Sequence, residues 1–272
     1  QARRFRPAVC AMADENAAAE LKVRLADTDI KVLSGAESIS ALAYLEGDTV
    51  LNAVSGSAGL APTLAAIDAG KPLALANKES LVMAGGIVMR RAKEKGVRIS
   101  PVDSEHSAIM QTLRAGKKSE IKRLILTASG GPFFGMTKEQ ISEKRLCDAL
   151  AHPTWSMGKG ITVDSATLMN KGFEVIESSH LFGIPGEKIS VVVHRESIIH
   201  SMTEYIDNSV IAQLSVPDMR LCIAHALTCP ARKKGVTPQL DLTEIGKLTF
   251  YKPDCEVFPL LPLAFDALAK GG

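Results

Sequence analysis

Between Asp48 and Asp103 the chain repeats one pattern, a short β-rich run followed by a segment of helical apolar spacing. DTVLNAVS (48–55) leads into the small-residue loop GSAG, and GLAPTLAAIDAG then carries helically spaced apolar residues and stops at Gly70. PLALAN (72–77) is a second apolar strand. KESLVMAGGIVMRRAKEKG is a second helix, with basic residues near its C-terminal end where they complement the helix dipole. VRISPVD supplies a third strand. Strands separated by helices are not hairpin partners, so this order predicts a parallel sheet with right-handed crossovers.

The pattern changes after Asp103. IKRLILTAS (121–129) is a strong strand that empties into Gly-Gly-Pro-Phe, and HPTWSMGKG is loop-rich. DSATLMNKGFEVIESSHLFG reads as one long helix capped by Asp164 or Ser165. ISVVVHRES and SMTEYIDNSVIAQLS read as antiparallel strands, the second turning at Asp207-Asn208. A helix starts near Met219, and prolines 230, 238 and 253 mark a linker.

Composition excludes several classes. A formal charge of +2 gives no reason for a nucleic-acid or membrane partner. No apolar run reaches the length of a membrane-spanning helix. Five scattered cysteines without a CxxC pair read as reduced thiols of a cytosol-like compartment. The chain starts with Gln and stops at AKGG, so both ends read as cut.

Ligands of an open parallel sheet gather at the carboxyl ends of its strands. Three strand ends carry polar clusters: Asn77-Lys78-Glu79, Asp103-Ser104-Glu105 and Ser129-Gly130-Gly131. If the strands are neighbours, the clusters converge on one cleft. Asp103 and Glu105, at i, i+2 in extended backbone, could serve a hard divalent cation, but this segment by itself reads first as a capped helix start. Asn170, Lys171 and Glu174 share a helix face, as a surface pair or as a phosphate and metal site with Ser165. Ser129-Gly130-Gly131 can offer backbone N–H groups to an anion or simply turn the chain. Trp155, the one tryptophan, serves a lid or a packing anchor; His194 and His200, on strand-like sequence, read as structural.

Taken in order, LANKESLV, PVDSEHSAI, SGGPF, HPTWSMG, DSATLMNKGFE, SIIHSM and PDMR closely resemble the 1-deoxy-D-xylulose 5-phosphate reductoisomerase family. The resemblance implies Asp103, Glu105 and Glu174 as ligands of Mg2+ or Mn2+. It implies substrate contacts at Lys78, Ser104, Glu105, Ser129, His152, Ser165, Asn170, Lys171 and Glu174, with Lys78, Glu105 and His152 closest to catalysis. Asn77, Glu79 and Gly158 match positions touching NADPH. Residues 152–160 match a mobile flap with Trp155 as its aromatic cover, and His200 and Met219 border the pocket. The implied reaction is the rearrangement and NADPH-dependent reduction of 1-deoxy-D-xylulose 5-phosphate to 2-C-methyl-D-erythritol 4-phosphate, on the route to isoprenoids. The family's glycine-rich first turn is not in this sequence, and GSAG at 56–59 is not that fingerprint.

The expected architecture is therefore α/β, incomplete at both termini. A partial Rossmann-like, NADPH-binding parallel-sheet domain spans 1–102 and an α+β catalytic domain 103–227. A linker (228–254) and the start of a truncated helical domain (255–272) follow. The expected protein is a homodimer of a bacterial cytosol or a plastid stroma that takes a small phosphosugar. Two other readings stay open on the residues: a metal-dependent aldolase or isomerase that uses no nicotinamide, and a non-enzymatic binding module.

Overall fold

In the computed structural model, which describes residues 1–271, these patterns become three sheets and eight helices of eight or more residues. The chain forms two compact units, residues 1–80 with 87–99, and residues 81–86 with those from 100 on.

The first unit starts with β1 (Val9–Met12), α1 (Glu15–Arg24) and β2 (Lys31–Ser34), the strands pairing in parallel from Val9 opposite Lys31 to Met12 opposite Ser34. Asp14 caps α1 by accepting the Ala17 N–H at 2.7 Å. β3 (Val50–Asn52), α2 (Leu60–Asp68) and β4 (Leu73–Leu75) follow, with β3 and β4 parallel as their spacing predicts. β4 is wholly buried, which is why PLALAN reads as an uninterrupted apolar run. α3 (Glu79–Lys95) ends at Gly96, whose left-handed φ of 65° closes the helix. β5 (Ile99–Pro101) joins the sheet in the order β3-β4-β5 and carries the chain out of the unit at Ile99.

The second unit is built on a mixed sheet in the order β7-β6-β8-β9, from β6 (Ile121–Ala128), β7 (Ile189–Val193), β8 (Ile199–Tyr205) and β9 (Val210–Leu214). β8 and β9 are antiparallel around a turn at Asp207-Asn208, as expected. β7 runs opposite in direction to β8, as expected, but is not its neighbour: it pairs parallel to β6, which lies between the two. The helical crossover from β6 to β7 brings the chain back to the starting end of the sheet.

Helices α4 (Ser104–Thr112), α5 (Lys159–Ala166), α6 (Met169–Phe182), α7 (Met219–Thr228) and α8 (Leu260–Lys270) belong to the same unit. Ile109 of α4, Leu124 and Leu126 of β6 and Val175 of α6 form one fully buried cluster. Each such leucine contributes about 1.5–3 kcal/mol by leaving water. This cluster fixes α4 and α6 on the sheet, and with them the polar residues at their starts. α6 and α8 approach closely at Gly172, where an added Cβ would lie 2.7 Å from that of Ala264.

The expected single helix from 164 to 183 is two. Leu168 breaks it with φ 58° and ψ 10°, between α5 and α6. A left-handed leucine is strained; its side chain is buried with Phe133, Phe258 and Leu261, and that packing holds the conformation. Ser165 consequently sits in the last turn of α5, not at a helix start. In the 228–254 stretch, Tyr251 forms an antiparallel bridge with Val193. Among the described residues no helix is long and apolar enough to cross a membrane.

Candidate active site

β5 runs directly into α4, and Asp103 caps that helix, its Oδ1 accepting the N–H groups of Glu105 (3.0 Å) and His106 (3.5 Å). The capping role does not use up the carboxylate. Ligand oxygens of Asp103, Glu105 and Glu174 all lie within 4.8 Å of one another. Lys171, one turn before Glu174 on α6, donates to Glu105 at 2.8 Å and also to Glu174. Asn170 donates to the other Glu174 oxygen at 2.6 Å, and Ser104 donates to Glu105.

Burial opposes charge on Lys171, yet Glu105 and Glu174 outweigh it and hold its pKa above the usual lysine value. Three carboxylates against one ammonium leave an excess of two negative charges, all on oxygen donors. That suits a hard divalent cation. The ammonium already stands between two of the carboxylates as a cation would.

His106, fully buried, stands behind this cluster. Its Nε2 lies 3.0 Å from the Glu174 carbonyl oxygen, and its Nδ1 lies 3.3 Å from Asp103 Oδ1 and 4.0 Å from Glu177 Oε2. Both ring nitrogens thus face acceptors. Burial disfavours the imidazolium, but the carboxylates of Glu177 and Asp103 overcome it and raise the pKa to about 9. Glu177 was not singled out in the sequence; its signal is its position one helical turn beyond Glu174.

A second polar group forms at the carboxyl end of β6. Gly130 and Gly131 both have left-handed φ values, 79° and 64°, and a Cβ on Gly131 would lie 2.7 Å from the Ser165 carbonyl oxygen. Only glycine permits this approach, which brings Ser129 and the end of α5 together. His152 Nδ1 accepts the N–H groups of Thr154 (3.2 Å) and Trp155 (2.9 Å), so its proton is on Nε2, which donates to Ser129 Oγ at 2.9 Å. Burial, then the nearby Arg195 charge, depresses the His152 pKa and keeps the ring neutral at pH 7. The Trp155 and His200 rings are 6.4 Å apart, and His200 is tied to Ser215 Oγ at 2.8 Å. Gly158 is the N-cap residue of α5, and Met219 opens α7. His194 is structural, as expected: its Nε2 accepts two backbone N–H groups, from Ile198 and Ile199.

Asn77, Lys78 and Glu79 belong to the first unit. The buried Asn77 amide donates to Val54 O (2.7 Å) and Gly56 O (2.9 Å), and Glu79 accepts the Gly56 N–H at 3.2 Å. These side chains bind the loop after β3 to the end of β4. Lys78 is the N-cap residue of α3. The three strand ends are not adjacent in one sheet, since β6 belongs to the mixed sheet and not to β3-β4-β5.

Three family models cover most of the chain. "1-Deoxy-D-xylulose 5-phosphate reductoisomerase" matches residues 1–85, its C-terminal domain residues 99–182, and "DXP reductoisomerase C-terminal domain" residues 214–272. Curated 1-deoxy-D-xylulose 5-phosphate reductoisomerases of Caldanaerobacter subterraneus subsp. tengcongensis (55% identical) and Halothermothrix orenii (52%) align with all of this chain, which spans 71% of each relative. A crystal structure of DOX-P reductoisomerase in complex with NADPH, fosmidomycin and magnesium superimposes with a TM-score of 0.94 at 44% identity, over 99% of this chain and 69% of that one. The Zymomonas mobilis enzyme in complex with NADPH gives 0.93 at 42%, over 100% of this chain and 70% of that one. With every segment matched and both units superimposed on solved members, the chain belongs to the 1-deoxy-D-xylulose 5-phosphate reductoisomerase family.

Proposed function

We propose that this protein, with a divalent cation and NADPH, rearranges and reduces 1-deoxy-D-xylulose 5-phosphate to 2-C-methyl-D-erythritol 4-phosphate. The observation that carries the reading is the Lys171 ammonium bridging Glu105 and Glu174, within the oxygen cluster that includes Asp103. A cation is already accommodated there, so the residues fit Mg2+ or Mn2+, held by Asp103, Glu105 and Glu174. When bound, the metal polarises the substrate ketone as a Lewis acid.

The chain's own side chains do the rest. Asn170 orients Glu174, and Ser104 orients Glu105. Ser129, His152 and Ser165, with Asn170 and Lys171, receive the substrate phosphate, whose binding energy orients the reacting carbons from a distance. His152 holds its proton on Nε2, so it donates toward an anion while staying neutral. Trp155 and the 152–160 flap exclude water from the reacting carbons, as the resemblance implies. Lys78 supplies a cation near the substrate. Asn77, Glu79 and Gly158 are the proposed NADPH contacts; with its amide committed to Val54 and Gly56, Asn77 shapes the corner that receives the cofactor.

The protein is proposed to act as a homodimer. Among the described residues β9 pairs with β8 alone, and Val210 and Ile211 on it are exposed, leaving an apolar edge suited to a second copy. Sedimentation tests that. A cytosolic setting is supported by five free cysteines.

The deciding assay mixes the full-length protein, 1-deoxy-D-xylulose 5-phosphate, Mn2+ and NADPH, and follows nicotinamide absorbance. Metal-dependent oxidation of NADPH is expected. Its absence overturns the reading, and substrate conversion without NADPH consumption assigns an isomerase instead.

A further inference from the structure

Arg195 lies outside every motif singled out in the sequence, yet it is bonded to the Ser129 loop from behind. His194 N–H donates to Ala128 O at 2.7 Å, and its ring is pinned by Ile198 and Ile199, so the next residue is held at the carboxyl end of β7. β7 runs parallel to β6 with Val193 opposite Ala128. Arg195 and Ser129 therefore leave neighbouring strands at the same end of the sheet.

There, Arg195 Nη1 donates to both Ser129 O (2.6 Å) and Gly131 O (2.8 Å). The guanidinium also lies over the Phe134 ring, 5.0 Å from its centroid, which restricts its swing. In a trans peptide the N–H points opposite to the preceding C=O. Drawing the Ser129 carbonyl toward Arg195 thus turns the Gly130 N–H away from it. Two left-handed glycines would otherwise leave this loop many conformations.

The bond also sets the Ser129 hydroxyl, which His152 Nε2 approaches at 2.9 Å. On the other side, Gly131 already abuts the Ser165 carbonyl, so the loop has no room to drift that way. Ser129, Ser165 and His152 are neutral groups; Arg195 adds a fixed positive charge behind them. Its field reaches far enough to disfavour protonation of His152.

We propose that Arg195 is a positioning residue for the substrate phosphate. It holds the Ser129-Gly130-Gly131 loop in its anion-receiving form through two carbonyls and adds charge behind the seat. This deepens the functional reading above and rests on its assignment of that loop to the phosphate. A lysine at 195 would keep the charge but lose the planar guanidinium, whose stacking on Phe134 fixes Nη1 between the two carbonyls.

The test compares wild type, Arg195→Gln and Arg195→Lys in the full-length protein with Mg2+ and NADPH. For Arg195→Gln the substrate KM rises about tenfold or more, with kcat and the NADPH KM within about threefold of wild type. Competitive inhibition by inorganic phosphate weakens by a similar factor. Arg195→Lys falls between. A clip that merely stabilised the fold would lower the unfolding temperature without moving substrate KM and phosphate inhibition together.

Substrate KM and phosphate inhibition equal to wild type in a folded Arg195→Gln protein overturn the proposal, as does a fall in kcat with KM unchanged. If Arg195→Gln does not fold, Arg195→Lys decides by the same two constants: a joint rise supports the proposal and no change refutes it. Absence of NADPH oxidation by the wild type would sink the functional reading instead. Calorimetric titration of inorganic phosphate into wild type and variants would then still decide for or against Arg195.

Discussion

Lys171 and Glu105 are 66 residues apart in the chain, and the Lys171 ammonium lies 2.8 Å from a Glu105 carboxylate oxygen while also bonded to Glu174. Both partners come from helix starts, α4 and α6, that the Ile109–Leu124–Val175 cluster packs on one sheet. Replacing Lys171 with Met leaves the buried Glu174 carboxylate facing the half-buried Glu105 carboxylate with no cation between them. Removing one partner of a buried ion pair costs about 3–5 kcal/mol. Denaturant unfolding without metal should show a loss of that order, partly restored by Mg2+, which binds the folded state alone. Unchanged stability would mean that the pair is not formed in solution.

Glu174→Gln separates a ligand from a structural acid. The amide keeps the shape and still accepts from Asn170, but it is a poor ligand for a hard cation. Mn2+ affinity, followed by electron paramagnetic resonance, should fall by about tenfold or more, ~1.4 kcal/mol. A lowered melting temperature with metal affinity intact would remove Glu174 from the ligand set.

Glu177→Gln tests the layer behind the ligands. It removes one of the carboxylate charges facing His106 Nδ1, which in turn faces Asp103. Groups that orient metal ligands typically carry about 10–100-fold in metal affinity. A fall near the lower end is expected in the same titration, with the protein still folded. Wild-type affinity would show that Asp103 is oriented without this pair.

The His152 turn should open on acidification. Burial and Arg195 hold its pKa below the ordinary histidine value of 6.5, so its contribution to stability is complete above that value and is lost as pH falls through the folded pKa. Protonating Nδ1 breaks its bonds to the Thr154 and Trp155 N–H groups. Trp155 is the sole tryptophan, so its fluorescence should change with a midpoint below 6.5. The change should vanish in His152→Gln. If it persists there, it belongs to His200, whose ring is 6.4 Å from Trp155.

Local spacing determined a good part of this protein. The alternation from Asp48 to Asp103 set β3, α2, β4, α3 and β5, because apolar periodicity and glycine stops act within a few residues. β1 and β2 escaped that reading, being four-residue strands with no fully buried position. The carboxylates at 103, 105 and 174 were visible as types at suggestive positions, and the ordered motifs linked them to one family.

Tertiary structure decided what spacing leaves free. The pairing partner of β7 depends on a crossover closing back onto the sheet, and an apolar strand carries no local mark of which strand it will sit beside. The break at Leu168 arises from burial of its side chain against residues 35 and 90 positions away, which no local signal contains. His106, Glu177 and Arg195 gain their roles only when packing brings acceptors, a carboxylate or a glycine loop within hydrogen-bonding range. Sequence chose the residue types; three-dimensional contact chose their partners, because short-range electrostatic interactions are set by distance in space and not along the chain.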